Sequence, residues 1–418
     1  MSLARNTMLS QGLKDMSFVV VPHPIGVISQ ADVHTKVDAA FDDIIKAATQ
    51  WKPSNENVAQ TEAPYPARRF TFTGTYADLN TMFQTRKWSL GLPIVPPTPE
   101  KVAEMLKGTK RDPSEVLWVV PPRDGQLTVE LVAVLGVMAG AKPEYMPLLI
   151  ATVEAMREPD ASWRSTTTTT ANTQPVLIIS GPVVEKMGIN MGTGHAGPLN
   201  PVNNSLGYFV NLVGDVVGGS IAPDHDKTVQ GTPADFVATV FVENIPATPW
   251  GKTLAEQLGF KRTDSIITLF TSLDVNMCND HGSSGMDLVY TMSMAAAGSG
   301  IGRNAPCNLE YGNNYGFTML VLGPEHAVSI MEAAKSLEEL KDLLAANTTL
   351  ARKHYGTNRC LPGVHYQGSE KDSLDVIVPR FRDSRSFFLA VAGGPGKHSQ
   401  ILSPFSMFRP VAIKIEGF

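Results

Sequence analysis

Four short segments of this chain gather side chains able to move protons or hold an anion, each beside glycine. The first is Asn276-Met-Cys-Asn-Asp-His-Gly-Ser-Ser284, directly after the apolar run Ile266–Phe270. It puts Cys278, Asn279, Asp280, His281 and Ser283 in one loop ahead of a helical stretch at 283–297. Loops at strand C-termini are where α/β proteins place ligands. Asp280 and His281 are acid/base candidates, and N–H groups near Ser283 suit an anion. An Asx turn with Ser283 capping the helix accounts for the same residues. Cys278 is a thiol candidate, but a lone cysteine is more often a small buried hydrophobe.

The second segment is Gly188-Ile-Asn-Met-Gly-Thr-Gly-His-Ala-Gly-Pro198. Gly192, Gly194 and Gly197 let backbone approach a ligand closely, while Asn190, Thr193 and His195 add hydrogen-bonding side chains. A plain wide turn is the competing reading. The Gly192-x-Gly194 pair has no third glycine at dinucleotide spacing and follows a helical stretch, so a Rossmann fingerprint is not supported, and a Walker A loop is absent. In the third, Gly323-Pro-Glu-His326, His326 sits in the first turn of a helix, where the dipole disfavours its charged form. A histidine merely packed at a helix start fits equally well. The fourth, Gly393-Gly-Pro-Gly-Lys-His-Ser399, offers open backbone and a cation, Lys397. Glu243-Asn244, closing a strand expected at Phe236–Val242, adds a carboxylate. Catalysis is thus expected of Asp280, His281, His326 and Glu243. Substrate binding is expected of Asn190, Gly192, Thr193, Gly194, His195, Asn279, Ser283 and Lys397.

Asp224, His225 and Asp226 are metal-ligand types, but three adjacent residues cannot all face one ion, and they read as a solvated loop. No HxH, HExxH or EF-hand spacing occurs, so no metal is expected, and no organic cofactor is indicated.

These segments need scaffolding, and the chain supplies it as short strands closed by Gly or Pro. Val116–Val120 ends at Pro121-Pro122, Val176–Ser180 at Gly181-Pro182, Thr318–Leu322 at Gly323-Pro324, and Phe387–Val391 at Gly393-Gly-Pro395. Helical spacing follows or separates them at 128–141, 143–157, 204–217, 283–297 and 325–346. The interleaving predicts an α/β fold with mixed sheets, since several strands lie too close in sequence for a helical crossover. The spans around Gly181-Pro182 and Gly323-Pro324 are alike enough to raise two pseudo-repeated lobes; chance likeness of β-α junctions explains them equally well.

The N-terminal part reads differently. Phe18-Val-Val-Val21, closed by Pro22-His-Pro24, reads as a buried strand. Ser29 with Asp32 then starts a helix whose apolar positions are Val33, Val37, Ala40, Phe41, Ile44, Ile45 and Ala48. Residues 1–50 are therefore a single β-α unit, too small to fold alone. Residues 51–87 read as a polar, Pro-rich linker opening on WKPSNENVAQTEAPYPARRFTFTGT, and 88–418 as the main region. A second unit is expected at Leu92–Pro97, followed by a short helix with Pro99 at its first position.

With 43% hydrophobic and 18% charged residues the chain is globular. A net charge of −5 gives no basic field for nucleic acid. Three cysteines without CxxC spacing read as free thiols in a reducing compartment. The N-terminus lacks a signal-peptide core, and apolar runs such as Leu131–Met138 are far short of a membrane span, so a cytoplasmic location is expected.

Phe18-Val-Val-Val-Pro-His-Pro-Ile-Gly26, with its helix, resembles the C-terminal end of the UGSC-type (seleno)protein domain. That family is named for a motif with selenocysteine or cysteine before Gly-Ser-Cys. Gly91-Leu-Pro-Ile-Val-Pro-Pro-Thr98, Met138-Ala-Gly-Ala-Lys-Pro-Glu-Tyr145, Gly188-Ile-Asn190, Asn279-Asp-His-Gly-Ser283 and Leu322-Gly-Pro-Glu-His-Ala327 look like the larger region accompanying that domain. The likeness covers residues 17–50 and about 88–400. The namesake motif itself is missing, since none of Cys278, Cys307 and Cys360 stands in a Gly-Ser-Cys context. The resemblance implies that the rest of the UGSC-like domain, with its reactive thiol, is a separate chain docking on residues 1–50. The whole would be a thiol-dependent lyase or reductase acting on a small organic molecule. Two other readings stay open: a stand-alone lyase or hydrolase using His281 and Asp280, and a non-catalytic scaffold subunit.

Overall fold

The structure, a computed structural model, describes residues 17–22, 25, 28–52, 65–282, 284–298, 316–351, 375, 377–405 and 409–418. Ser283, Cys307 and Cys360 lie outside the described residues. In chain order the helices are α1 (Gln30–Gln50), α2 (Tyr76–Thr85), α3 (Pro99–Leu106), α4 (Val129–Met138), α5 (Met146–Arg157), α6 (Trp163–Thr166), α7 (Val183–Lys186), α8 (Pro201–Leu212), α9 (Leu254–Gln257), α10 (Gly285–Gly298), α11 (Pro324–Ile330) and α12 (Leu337–Asn347). The strands are β1 (Val116–Val120), β2 (Gly125–Thr128), β3 (Gln174–Ser180), β4 (Thr239–Val242), β5 (Ile266–Asn279), β6 (Thr318–Leu322), β7 (Thr349–Ala351), β8 (Ile377–Pro379), β9 (Phe387–Val391), β10 (His398–Pro404) and β11 (Val411–Lys414).

The main sheet is mixed, as the short connections predicted. Its order is β4-β3-β5-β10-β6-β9, with β11 beside the first half of β5. β3/β4 and β6/β9 are parallel pairs, each joined through helical crossovers, while β3/β5, β5/β10 and β10/β6 are antiparallel. The halves share one topology: a strand ending in Gly-Pro, a crossover to a parallel neighbour, and an antiparallel third strand on the other side. The sheet curls until its edge strands meet. A bridge pairs Glu243 with Ala392, and the Asn244 N–H donates to the Val391 carbonyl at 2.7 Å.

Curling gives the sheet an inside and an outside, and strand alternation sorts residues between them. Val176 and Ile178, Phe241, Phe270, Met319 and Val321, Phe388 and Leu402 fill the interior, closed by Leu254 of α9. Outside, Leu177, Ile179, Val240, Ile267 and Leu269 pack against α4, α5 and α8. Leu320, Leu322, Leu389 and Ile401 pack against α10, α11 and α12. α4 is apolar nearly all round and accordingly almost wholly buried.

Several elements differ from the sequence reading. β5 runs through Asn279, well past Phe270, because β10 supplies a ladder for its polar second half, from Ser272↔Pro404 to Asn279↔His398. The single helix expected at 325–346 is two, because a capping box at Ser336 and Glu339 starts a new one. Residues 76–87, read as linker, contain α2, whose Phe83 enters the core. Leu92–Pro97 and residues 17–22 form no strand; neither apolar run joins a ladder among the described residues. Only the second part of Phe236–Val242 is a strand, because the preceding 3₁₀ turn Pro233–Asp235 leaves Phe236 outside the ladder and exposed.

α1 starts as its cap requires, the Asp32 N–H donating to Ser29 Oγ at 3.1 Å. Yet only Ala40 of this helix is buried. Val37, Phe41, Ile44 and Ile45 are 39%, 54%, 37% and 46% exposed, so its apolar stripe is uncovered.

Candidate functional site

Glu243 follows β4, two residues beyond the inward-facing Phe241, so alternation turns its carboxyl into the sheet interior. Ser180, two beyond the inward Ile178 on the parallel neighbour, is wholly buried beside it. The Glu243 Oε1 accepts the Leu254 N–H at the start of α9, 2.8 Å away. Its Oε2 and the Ser180 hydroxyl are buried without a well-formed hydrogen bond. Burial pushes the Glu243 carboxyl up to about 7, against the lowering pull of the Leu254 amide and the Ser180 hydroxyl. A carboxyl poised near neutrality can take or give a proton.

From Asn244 outward the predicted segments join into one rim. The Asn244 Nδ2 donates to the Gly393 carbonyl at 3.0 Å, and the Gly393 N–H donates to the Met191 carbonyl at 3.1 Å. Thr193 lies so close over Gly394 that a Cβ there would stand 2.0 Å from its Oγ1. Lys397 Nζ donates to the His281 carbonyl at 3.0 Å. The His281 ring meets that of His398 edge-on, 4.8 Å between centroids. Asn279, exposed, faces His398 across the β5/β10 ladder.

Beneath the rim lies a second polar knot. His326, wholly buried in α11, donates from Nε2 to the Asp280 carbonyl at 2.8 Å and accepts at Nδ1 from Ser399 Oγ at 2.9 Å. A carbonyl can only accept, which fixes the proton on Nε2. The Ser399 hydroxyl in turn accepts the Gly323 N–H at 3.1 Å. Burial lowers the His326 pKa, favouring the neutral ring. The Asp280 carboxylate accepts from Thr291 Oγ1 of α10 at 2.9 Å.

The rim therefore unites Asn190, Gly192, Thr193, Asn279, His281 and Lys397, with Asp280 and His326 in the knot beneath it and the Glu243 carboxyl buried in the sheet interior behind it. Within it Asn190 is committed to its own turn, donating to the Thr193 carbonyl at 3.0 Å and accepting the Gly192 N–H at 2.9 Å. Gly194 holds a positive φ of 70° that a side chain would strain. His195 is buried and packs edge-on against the inward-facing Phe241, its pKa pushed down to about 4 by burial. Cys278 faces outward beneath α10–α12, 3% exposed, and burial, aided by Asp280, pushes its thiol up to about 11. Asp224 lies elsewhere, paired with Lys87 at 3.0 Å and Arg123 at 3.4 Å. Among the described residues no group of three His, Cys, Asp or Glu stands ready to hold a metal ion. No helix among them is long and apolar enough to cross a membrane.

Ser180, Thr291 and Ser399 were assigned no role from the sequence, although Ser180 closes a predicted strand and Ser399 a candidate segment. Alternation from Ile178 could have exposed Ser180 as a partner of Glu243; nothing local marks the other two.

What the rim offers chemically is open glycine backbone and Lys397 to hold an anionic or carbonyl oxygen, exposed His281 and His398 to exchange protons, and a near-neutral carboxyl sealed behind them. No family model, curated protein or solved structure matches the chain.

Proposed function

We propose that this chain is one subunit of a hetero-oligomeric, thiol-dependent enzyme that cleaves or reduces a bond in a small organic molecule, with a partner chain contributing the reactive cysteine. The observation that carries this reading is the uncovered apolar stripe of α1. An amphipathic helix gains most of its stability from burying that stripe, and Val37, Phe41, Ile44 and Ile45 find little cover in this chain. The resemblance of residues 17–50 to the last strand and helix of a UGSC-type domain says what the cover is: the remainder of that domain. Cys278 supports the division of labour, since a buried thiol pushed up to about 11 is a poor nucleophile. The rim then binds the substrate through Lys397 and the 190–194 loop and exchanges protons through His281, in the reducing cytoplasm where a free thiol persists.

The test is isolation of the tagged chain from its native host, beside a Phe41→Asp/Ile44→Asp variant. A polypeptide with a Gly-Ser-Cys motif should co-purify stoichiometrically with the wild type and be lost from the variant. A chain that purifies alone and turns over substrate alone would defeat the proposal.

A further inference from the structure

The curled sheet is joined to itself at one point. β4 and β9 meet there end to end, and among the described residues a single bridge, Glu243 to Ala392, connects them. Past the bridge the Gly393 N–H turns from β4 to the Met191 carbonyl at 3.1 Å, so the ladder stops. The seam is otherwise held by the Asn244 N–H on the Val391 carbonyl at 2.7 Å and by Asn244 Nδ2 on the Gly393 carbonyl at 3.0 Å. α9 braces it from inside. The Leu254 N–H donates to Glu243 Oε1 at 2.8 Å, and the Gln257 amide grips Leu389 of β9, donating at 2.7 Å and accepting at 3.1 Å. Glu243 thus serves the seam twice, by its backbone and by its carboxyl, and the residue is only 1% exposed. Burial opposes the charge of that carboxyl; the Leu254 amide, the Ser180 hydroxyl of β3 and Arg262 favour it, and Glu256 opposes it. Arg262 is 44% exposed and stands 3.9 Å from Glu256, and among the described residues no cation pairs with Glu243. A carboxylate sealed there has one amide and one hydroxyl to satisfy a full charge, far less than water offers. Water lies just across the seam, at the half-buried Met191 and Gly393.

We infer that Glu243 makes this seam a pH-sensitive latch: while its carboxyl is neutral the seam stays shut, and once it is ionised residues 391–394 and the 191–194 loop part from Asn244, opening the sheet interior at the rim. The carboxyl of an opened seam titrates near 4.5 and the sealed one at about 7. The proton that favours closure is therefore fully in place below pH 4.5, and the seam loosens as pH rises through 7. Because the rim's glycine backbone at 393–394 hangs from this closure, the latch governs the shape of the rim whatever the rim binds.

Native-state hydrogen exchange of the full chain at pH 5 and pH 8, each in low and rising urea, tests it. Rates are taken relative to those of an unstructured chain at the same pH. The Asn244, Leu254 and Gly393 amides should open at least tenfold more often at pH 8 than at pH 5. That opening should be nearly independent of low urea, as a local event is, while the α5 amides exchange only through urea-sensitive unfolding. In Glu243→Gln the seam amides should lose their pH dependence. Should that variant not fold, the wild-type comparison of seam with α5 decides alone. Seam amides that follow those of α5 at every pH and urea concentration, or that keep their pH dependence in Glu243→Gln, would overturn the inference.

Discussion

Glu243 and Cys278 are two buried groups whose protonation follows from their surroundings. The unfolded Glu243 carboxyl titrates near 4.5 and the folded one at about 7. Between those values the folded chain keeps a proton that the unfolded chain has lost, so this group's contribution to stability is full below pH 4.5 and declines as pH rises through 7. Glu243→Gln, similar in shape and unable to ionise, should flatten that decline and leave the variant roughly 2–3 kcal/mol more stable relative to wild type at pH 8 than at pH 4.5. Asp215, pushed up to about 8 by burial and then by Asp226 and Asp235, adds a decline of the same sign. The informative quantity in urea titrations is therefore the difference between the two proteins, and parallel pH profiles would refute the assignment. Cys278 should resist iodoacetamide in the native protein at pH 8 and label once unfolded; native labelling at the rate of a free thiol would contradict its burial. Residue types and glycine neighbours picked out segments that the fold brings side by side. They did not show that His195 is buried against Phe241 and Cys278 beneath α10, since burial depends on partners distant in sequence.

At the scale of elements, the two Gly-Pro junctions hold the halves of the sheet in register. A Cβ on Gly181 would stand 2.2 Å from the Asp264 carbonyl at a φ of 96°, and one on Gly323 would stand 2.2 Å from the His398 carbonyl. Gly188, at a φ of 62°, has open space around it. Gly181→Ala should therefore lose the most stability, roughly 3 kcal/mol or more, and Gly323→Ala roughly 2 kcal/mol by overpacking alone. Gly188→Ala should lose only about 1 kcal/mol, from its backbone conformation. Equal losses at Gly181 and Gly188 in denaturant unfolding would show that the junction is not close-packed. Strands of five apolar residues closed by Gly or Pro, and helices with clear caps such as Thr98-Pro99, were legible. β10 was not, because His398–Pro404 is too polar to announce a strand, and with it went the true length of β5. The split of α11 from α12 was missed because apolar spacing continues across a cap that only Ser336 and Glu339 mark.

At the scale of the molecule, the curled sheet and the bare helix pull in opposite directions. The sheet covers both of its faces and joins its own edges through Glu243 and Ala392. That closure pairs residues far apart in sequence, and no periodicity forecasts it, although the α/β class with mixed strands was readable. The described residues before Trp51 remain outside this closure: residues 17–22 join no ladder among the described residues, and the capped helix α1 has one buried residue. Hydrogen exchange across α1, in the isolated chain and in the assembly drawn from the native host, tests the claim of a missing partner most directly. The account predicts that the α1 amides exchange within seconds in the isolated chain and become strongly protected in the assembly, while those of α5 are protected in both. Protection of α1 in the isolated monomer equal to that of α5 would contradict it.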